Sequence, residues 1–127
     1  MKNGKIANIN TNLKGLFNKW LSITKPFHKL SPQEQDVLAL ILYYNHIYKD
    51  DINNEKLRWK FVFDYDTRRL IKDELDIKNA GFGNILTSLR KQNIIKDGRV
   101  VSTYIPNLSK NADIFKVIFS FKIIKDE

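Results

Sequence analysis

The sequence predicts an α+β fold, mostly helical with a small antiparallel sheet, and three observations support this prediction. Apolar residues between positions 74 and 95 recur at the three- and four-residue spacing of an amphipathic helix. A capping-box sequence at Ser31 starts another helix. Two alternating runs joined by a polar loop, residues 100–105 and 114–124, predict a pair of strands. A length of 127 residues suits one domain with a single core.

The first 29 residues are expected to form a basic arm in front of a domain that covers residues 30–127. The charged side chains of the arm are all lysines: Lys2, Lys5, Lys14, Lys19, Lys25 and Lys29. They leave 16 basic against 14 acidic residues in the domain, so most of the net charge of +8 belongs to the arm. Lysines in such an arm add sequence-independent attraction to phosphates.

An amphipathic helix is predicted within the arm, because apolar residues recur there at helical spacing. They form a docking face of Leu13, Leu16, Phe17, Trp20 and Leu21. Asn12 is the expected N-cap and Pro26 the expected stop. This face has three possible partners: the chain's own domain, a second copy of the chain, or a different protein.

The second helix starts at the capping box of Ser31 and Glu34, with Pro32 in its first turn. The polar residues 49–56 predict a surface loop. A short strand is expected over residues 58–63, where the aromatic residues Trp59, Phe61 and Phe63 alternate with Arg58, Lys60 and Val62. Asp64 or Asp66 then caps a third helix, which ends at Leu75.

A tight turn and a fourth helix complete a helix pair. Ile77 is expected to fill the turn, and the helix after it buries one apolar face. The predicted core combines this face with the other apolar positions: Val37, Leu38, Ile41, Leu42, Phe61, Phe63, Leu70, Ile71, Leu75, Ile77, Phe82, Leu86, Leu89, Ile95, Val101, Phe119 and Phe121. The opposite side of the fourth helix then faces outward.

In the pattern and order of its elements, the segment from about 31 to 124 resembles the winged helix-turn-helix superfamily. Many members insert the second helix of the pair into the major groove and touch the backbone with the wing loop. The resemblance implies these roles for residues 78–91 and 107–111. The nucleic-acid-binding or partner-binding residues expected from it are Lys78, Asn79, Asn84, Thr87, Arg90, Lys91 and Lys110. The chain departs from the pattern at Asp76, where the hinge often has Gly, and at Gly81 and Gly83, where DNA-binding relatives often place polar side chains.

Composition and motif spacing exclude several classes of function. The absence of cysteine excludes a disulfide framework and a thiolate zinc site. The longest apolar run, residues 37–44, is too short to cross a membrane, and no membrane partner is expected. His28 and His46 fall on different elements, and Gly81-Phe82-Gly83 lacks the preceding strand of a phosphate-binding loop. We therefore expect no enzyme, no metal and no cofactor.

Two functional hypotheses remain open. In the first, the protein is a non-enzymatic DNA-binding winged helix, such as a small regulator or a replication or packaging factor, with weak or no sequence specificity. In the second, it is a structural or accessory component of a bacteriophage virion that docks on other proteins. The abundance of Asn, Ile and Lys is typical of AT-rich genomes, including those of phages. The expected location is the cytoplasm, or the host cytoplasm and the virion for a phage protein. The N-terminal helix is a candidate surface for a homo-oligomer.

Overall fold

The computed structural model describes residues 7–109 and 111–125. Within them the chain forms five α-helices and one two-stranded antiparallel sheet, which confirms the mostly helical α+β class. The elements are α1 (Leu13–Ile23), α2 (Pro32–Tyr48), α3 (Glu55–Val62), α4 (Tyr65–Leu75), α5 (Asn79–Lys91), β1 (Ile95–Lys96) and β2 (Arg99–Val100). Short 3-10 turns cover Lys25–Phe27 and Ser102–Tyr104. No helix in the described part of the chain is long and apolar enough to cross a membrane.

Helix α2 is the centre of the fold. The predicted capping box is present: the Ser31 N–H donates to Glu34 Oε1 over 2.8 Å, and the Glu34 N–H donates to Ser31 Oγ over 3.2 Å. All residues from 37 to 42 are buried, so the helix is covered on every side rather than along one stripe. It contacts α1, α3, α4 and α5.

Helix α1 packs along α2 of the same chain. Asn12 caps it by accepting a hydrogen bond from the Gly15 N–H over 2.7 Å. Phe17 and Leu21 are buried in the common core, Leu16 and Trp20 are half-buried, and Leu13 is exposed. The docking face thus packs on its own chain through every member except Leu13, and this chain is the first of the three possible partners named for it.

Residues 58–62 lie in helix α3 and Phe63 is its C-cap, so the predicted strand is wrong. Asn54 caps α3 by accepting from the Leu57 N–H over 2.9 Å, and that cap fixes the helical phase. Helical spacing then buries Arg58, Trp59 and Val62 on one face and leaves Phe61 outside. Six alternating residues were too few to distinguish a strand from a short helix.

The predicted wing differs from the observed sheet. The hairpin forms earlier, where Ile95 pairs with Val100 and Lys96 with Arg99. Asp97 and Gly98 both have positive φ, 55° and 74°, as a tight two-residue hairpin turn requires. Strands β1 and β2 therefore pair directly on either side of this turn. Residues 102–104 turn away as a 3-10 helix, and residues 114–124 have no strand partner in the described part of the chain. The two predicted strands over 100–105 and 114–124 are therefore not found in the described part of the chain, apart from Val100 in β2, and residues 107–109 do not join strands.

Most of the predicted core is confirmed. The buried members are Val37, Leu38, Ile41, Leu42, Ile71, Ile77, Phe82, Leu86, Leu89 and Ile95. Phe63, Leu75 and Val101 are half-buried. The prediction is wrong for Phe61, Leu70, Phe119 and Phe121, which are exposed. The errors lie in the misassigned strand, on the outer side of α4 and in the C-terminal segment.

Candidate nucleic-acid interface

Helices α4 and α5 form a helix pair joined by a fixed turn. Asp64 caps α4 by accepting from the Thr67 N–H over 3.2 Å. The helix ends at Leu75, and its C-cap Asp76 has a φ of 53°, in the left-handed region that Asp tolerates better than most non-glycine residues. The next amide, Ile77 N–H, donates to the Lys72 carbonyl over 2.9 Å, and the Ile77 side chain is buried. The turn therefore holds the start of α5 at a set angle to α4.

The inner face of α5 locks this helix to the core. Phe82 and Leu86 are each 4% exposed, and Ile85 and Leu89 are also buried. The predicted face of the helix is thus confirmed. At Ser88 the helix also meets the start of α2, where the Ser88 hydroxyl and Ser31 hold the pKa of the Glu34 carboxyl below its usual value. With its rotation fixed, α5 presents one defined side to solvent.

The residues expected to bind a nucleic acid or partner are exposed along α5 and at its N-cap. They are Lys78, Asn79, Asn84, Thr87, Arg90 and Lys91, while Lys110 lies outside the described residues. Lys72 Nζ donates to Asn79 Oδ1 over 2.5 Å and so orients that amide. Thr87 Oγ1 donates to the Gly83 carbonyl over 3.0 Å, which leaves the hydroxyl oxygen free to accept.

The exposed side of α5 carries cations and no carboxylate. No Asp or Glu occurs from residue 77 to residue 96, a stretch that includes Lys78, Arg90, Lys91 and Lys96. Helix α4, by contrast, mixes acids with bases. An anion that approaches the α5 side therefore meets no carboxylate on that helix.

A cleft of about 370 Å³ lies between α4 and the start of α5. Its lining residues are Tyr65, Arg69, Lys72, Asp73, Ile77, Lys78 and Asn79. Three cations and one carboxylate make it a site suited to a phosphate group. Tyr65, Arg69 and Lys72 were not among the expected site residues. Their spacing, at positions i, i+4 and i+7 of one helix, is the sequence signal that identifies them.

Not all the expected residues come together. Arg90 lines a different groove, of about 470 Å³, beside the β-hairpin, with Trp59, Lys60, Phe63, Ile95, Asp97 and Gly98. Trp59 and Phe63 stack there with ring centroids 5.9 Å apart. Arg90 is thus directed toward the hairpin rather than toward the α4–α5 cleft.

The arm lysines divide into groups. Lys14 forms an ion pair with Glu74 on α4, and this hydrogen bond raises the pKa of the Lys14 ammonium. It therefore contributes to packing of α1 and is not free for a phosphate. Lys19, Lys25 and Lys29 are exposed, whereas Lys2 and Lys5 lie outside the described residues.

Both histidines have structural positions. His28 is buried; its Nε2 lies 2.8 Å from the Leu21 carbonyl, which can only accept, so Nε2 donates and Nδ1 accepts from the Leu30 N–H. His46 is buried on α2, and burial, together with Lys49, lowers its pKa. Among residues 7–109 and 111–125, no group of three or more His, Asp or Glu side chains is placed to hold a metal ion.

Comparisons of the chain with protein-family models, with curated proteins and with solved structures found no match.

Proposed function

We propose that this protein binds double-stranded nucleic acid through the exposed side of α5, as a winged helix-turn-helix protein whose wing is reduced to the β1–β2 hairpin. The observation that carries the proposal is the acid-free, outward face of a helix whose opposite face is locked by Phe82, Leu86 and Leu89. A rigid helix of this diameter fits the major groove of B-form DNA. In helix-turn-helix proteins the N-terminal residues of the second helix contact base edges while the first helix crosses the backbone.

Base contacts in this proposal come from the first half of α5. Asn79 and Asn84 carry amides that pair with base edges, and Lys78 adds a cation at the helix start. Ala80 and Gly83 are exposed between them and offer no donor, so the number of base contacts is small. Recognition is accordingly weakly specific, with phosphate contacts as the main source of affinity.

Phosphate contacts come from the α4–α5 cleft. Arg69, Lys72 and Lys78 converge on it, and Tyr65 adds a hydroxyl. When α5 lies in the groove, a cleft at its N-terminal end faces the sugar-phosphate backbone. The three cations then fix the position of the helix along the duplex without reading sequence.

The test is fluorescence anisotropy with a labelled random-sequence duplex over a range of salt. Arg69→Ala and Lys78→Ala should each weaken binding and reduce the log-log salt slope by about 0.9, the expectation for one lost phosphate contact. Lys56→Ala, which removes an exposed lysine from α3, is the matched control and should leave the slope unchanged. Absence of binding at low salt, or equal losses in all three variants, would contradict the proposal.

A second candidate is a structural or accessory role in a bacteriophage particle, with the same helix face docked on a protein. The observation that favours it is the bare backbone of α5 at Gly83, where a Cβ would meet nothing within 4 Å. Such a surface allows another helix to approach closely. Gly83→Lys separates the candidates: the added cation strengthens binding to a duplex, whereas a side chain at this point blocks close packing against a protein.

A further inference from the structure

The C-terminal segment, residues 114–124, is the largest apolar feature that the proposed function does not use. It has no Gly, Pro, Asn or Asp and is rich in Phe, Ile and Val, the residues that favour strands. It contains neither helix, turn nor bend, and it has no strand partner among the described residues. A strand without a neighbour exposes a row of backbone donors and acceptors on both edges.

Alternation gives the segment two different sides. One side is entirely apolar and consists of Phe115, Val117, Phe119, Phe121 and Ile123. The other side mixes isoleucines with Lys116, Ser120 and Lys122. One apolar side and one mixed side are the pattern of a strand with one face buried.

Cover for the apolar side decreases along the segment. Phe115 is half-buried and packs edge-on against Trp20 of α1, with ring centroids 5.8 Å apart, and Val117 is also half-buried. Phe119 is 46% exposed, Phe121 90% and Ile123 88%. The body of the protein therefore covers the first half of the apolar side and leaves the second half in solvent.

The described part of the chain offers no sheet edge that could cover the remainder. Strands β1 and β2 have two residues each, far fewer than an eleven-residue segment needs. A second copy does offer one, because its own C-terminal segment has the same length and the same two sides. Antiparallel pairing places the uncovered half of each segment beside the covered half of the other.

We propose that the segment 114–124 pairs antiparallel with the same segment of a second copy, about a two-fold axis at Ser120, so that residues 116–124 of the two copies form the ladder. In this register Phe119 lies opposite Phe121, and Val117 lies opposite Ile123, so the apolar sides coincide. Each copy's Phe121 and Ile123 then reach the flank of the other copy's body near Trp20.

The Ser120 register also keeps the lysines of the two copies apart. Lys116 lies opposite Ile124, and Lys122 lies opposite Ile118, so no two lysines face each other directly. A register centred one residue earlier, on Phe119, puts Lys116 opposite Lys122, and like charges in direct opposition are destabilising. The residual repulsion between the two cationic segments is screened by salt.

Sedimentation equilibrium of the full chain tests the pairing. We expect a reversible monomer–dimer equilibrium that tightens as salt rises. Duplex binding weakens with salt instead, so the failure of one proposal is distinguishable from the failure of the other. Replacing Phe121 and Ile123 together by Ser should raise the dimer dissociation constant about tenfold or more, because it removes two apolar side chains from the interface. Lys122→Ser, on the mixed side, is the matched control and should leave the dimer equally tight or tighter. A chain that stays monomeric throughout overturns the proposal.

Cysteine cross-linking tests the register, and the chain has no native cysteine to interfere. Residues that face each other across an antiparallel pair have Cα atoms about 4.5 to 5.5 Å apart, within the range that a disulfide bridges. Ser120→Cys should therefore form a disulfide-linked dimer under mild oxidation, whereas Ser102→Cys, on an exposed site outside the segment, gives the background from random collision. More efficient cross-linking through Phe119→Cys than through Ser120→Cys overturns the register and the proposal with it.

Discussion

Helix α5 and the C-terminal segment have similar apolar content and opposite burial. Phe82 and Leu86 on α5 are each 4% exposed, whereas Phe121 and Ile123 in the C-terminal segment are almost fully exposed. Both stretches have a clear hydrophobic period, 3.6 residues in the helix and two in the segment. The period alone therefore does not determine burial.

The difference arises from where each conformation finds its hydrogen bonds. A helix pairs its backbone groups internally, so α5 needs only a surface on which to lay its apolar stripe, and α2 supplies one. A strand takes its backbone partners from another segment, and the described part of the chain holds a sheet of only two residues per strand. The hydrophobic period of a segment predicts which of its sides can be buried. Whether that side is buried depends on a partner segment or surface within reach.

The largest expected effect comes from shortening a side chain on the inner face of α5, which tests whether that face is buried. We expect Leu86→Ala to lower the free energy of unfolding by about 2 to 5 kcal/mol, since it removes buried methyl groups and leaves a cavity. Urea denaturation followed by circular dichroism measures it. Leu70→Ala on the outer side of α4 is the matched control, and its cost should stay below about 1 kcal/mol. Equal losses in both variants would mean that the face of α5 is misassigned.

A second test addresses the segment that the sequence assigned to a strand. Arg58 of α3 is buried, and its Nε donates to Asn45 Oδ1 on α2 over 2.9 Å, while a terminal nitrogen donates to the Ile52 carbonyl over 3.1 Å. Asn45→Ala leaves a buried donor without its acceptor, and we expect a cost of about 1 to 3 kcal/mol in the same denaturation assay. Asn53→Ala, at an exposed position, should cost less than about 0.5 kcal/mol. A neutral Asn45→Ala would contradict the helical placement of Arg58.

Local signals explain which elements the sequence predicted. Helices α1, α2 and α4 each begin at a side-chain cap that is recognisable from the sequence, namely Asn12, Ser31 and Asp64. Helix α5 has no side-chain cap, and its thirteen residues show a long periodic face instead. Helix α3 has only eight residues, and its cap at Asn54 lay within a segment assigned to a loop.

Non-local contacts explain what the sequence missed. Asp97 and Gly98 have the positive φ angles of a tight turn, but whether the strands extend beyond this turn depends on pairing with distant residues, which no local pattern encodes. The candidate site also has one part that local signals predict and one part that depends on non-local contacts. The exposed residues of α5 follow from its helical phase, whereas the convergence of Arg69 and Lys72 with Lys78 follows from how α4 and α5 meet.

A third test sharpens the contact between α5 and the start of α2. The Ser88 hydroxyl and the Ser31 cap lower the pKa of Glu34 in the folded protein. Its contribution to stability is therefore complete above the unfolded pKa of about 4.3 and is lost as pH falls through the lower folded value. Glu34→Gln keeps an N3 side chain that can complete the capping box and removes only a partly exposed charge, so it should cost less than about 1 kcal/mol at pH 7. The gap from wild type should narrow in acid. A gap that is constant from pH 7 to pH 3 would show that the carboxylate charge is not involved.

The smallest expected effect completes the comparison. Phe121 is 90% exposed, so Phe121→Ser changes its surroundings little between the folded and unfolded chain. In dilute solution, where the chain is monomeric, the free energy of unfolding should change by less than about 0.5 kcal/mol. Phe82→Ser is the matched substitution on α5, where the same loss of a phenyl ring costs about 3 to 5 kcal/mol, as core phenylalanine truncations do. If Phe121→Ser instead cost more than about 1 kcal/mol in the monomer, the segment would be packed on the body of its own chain. The contrast with α5 would then be lost, and no second copy would be needed to cover the apolar side.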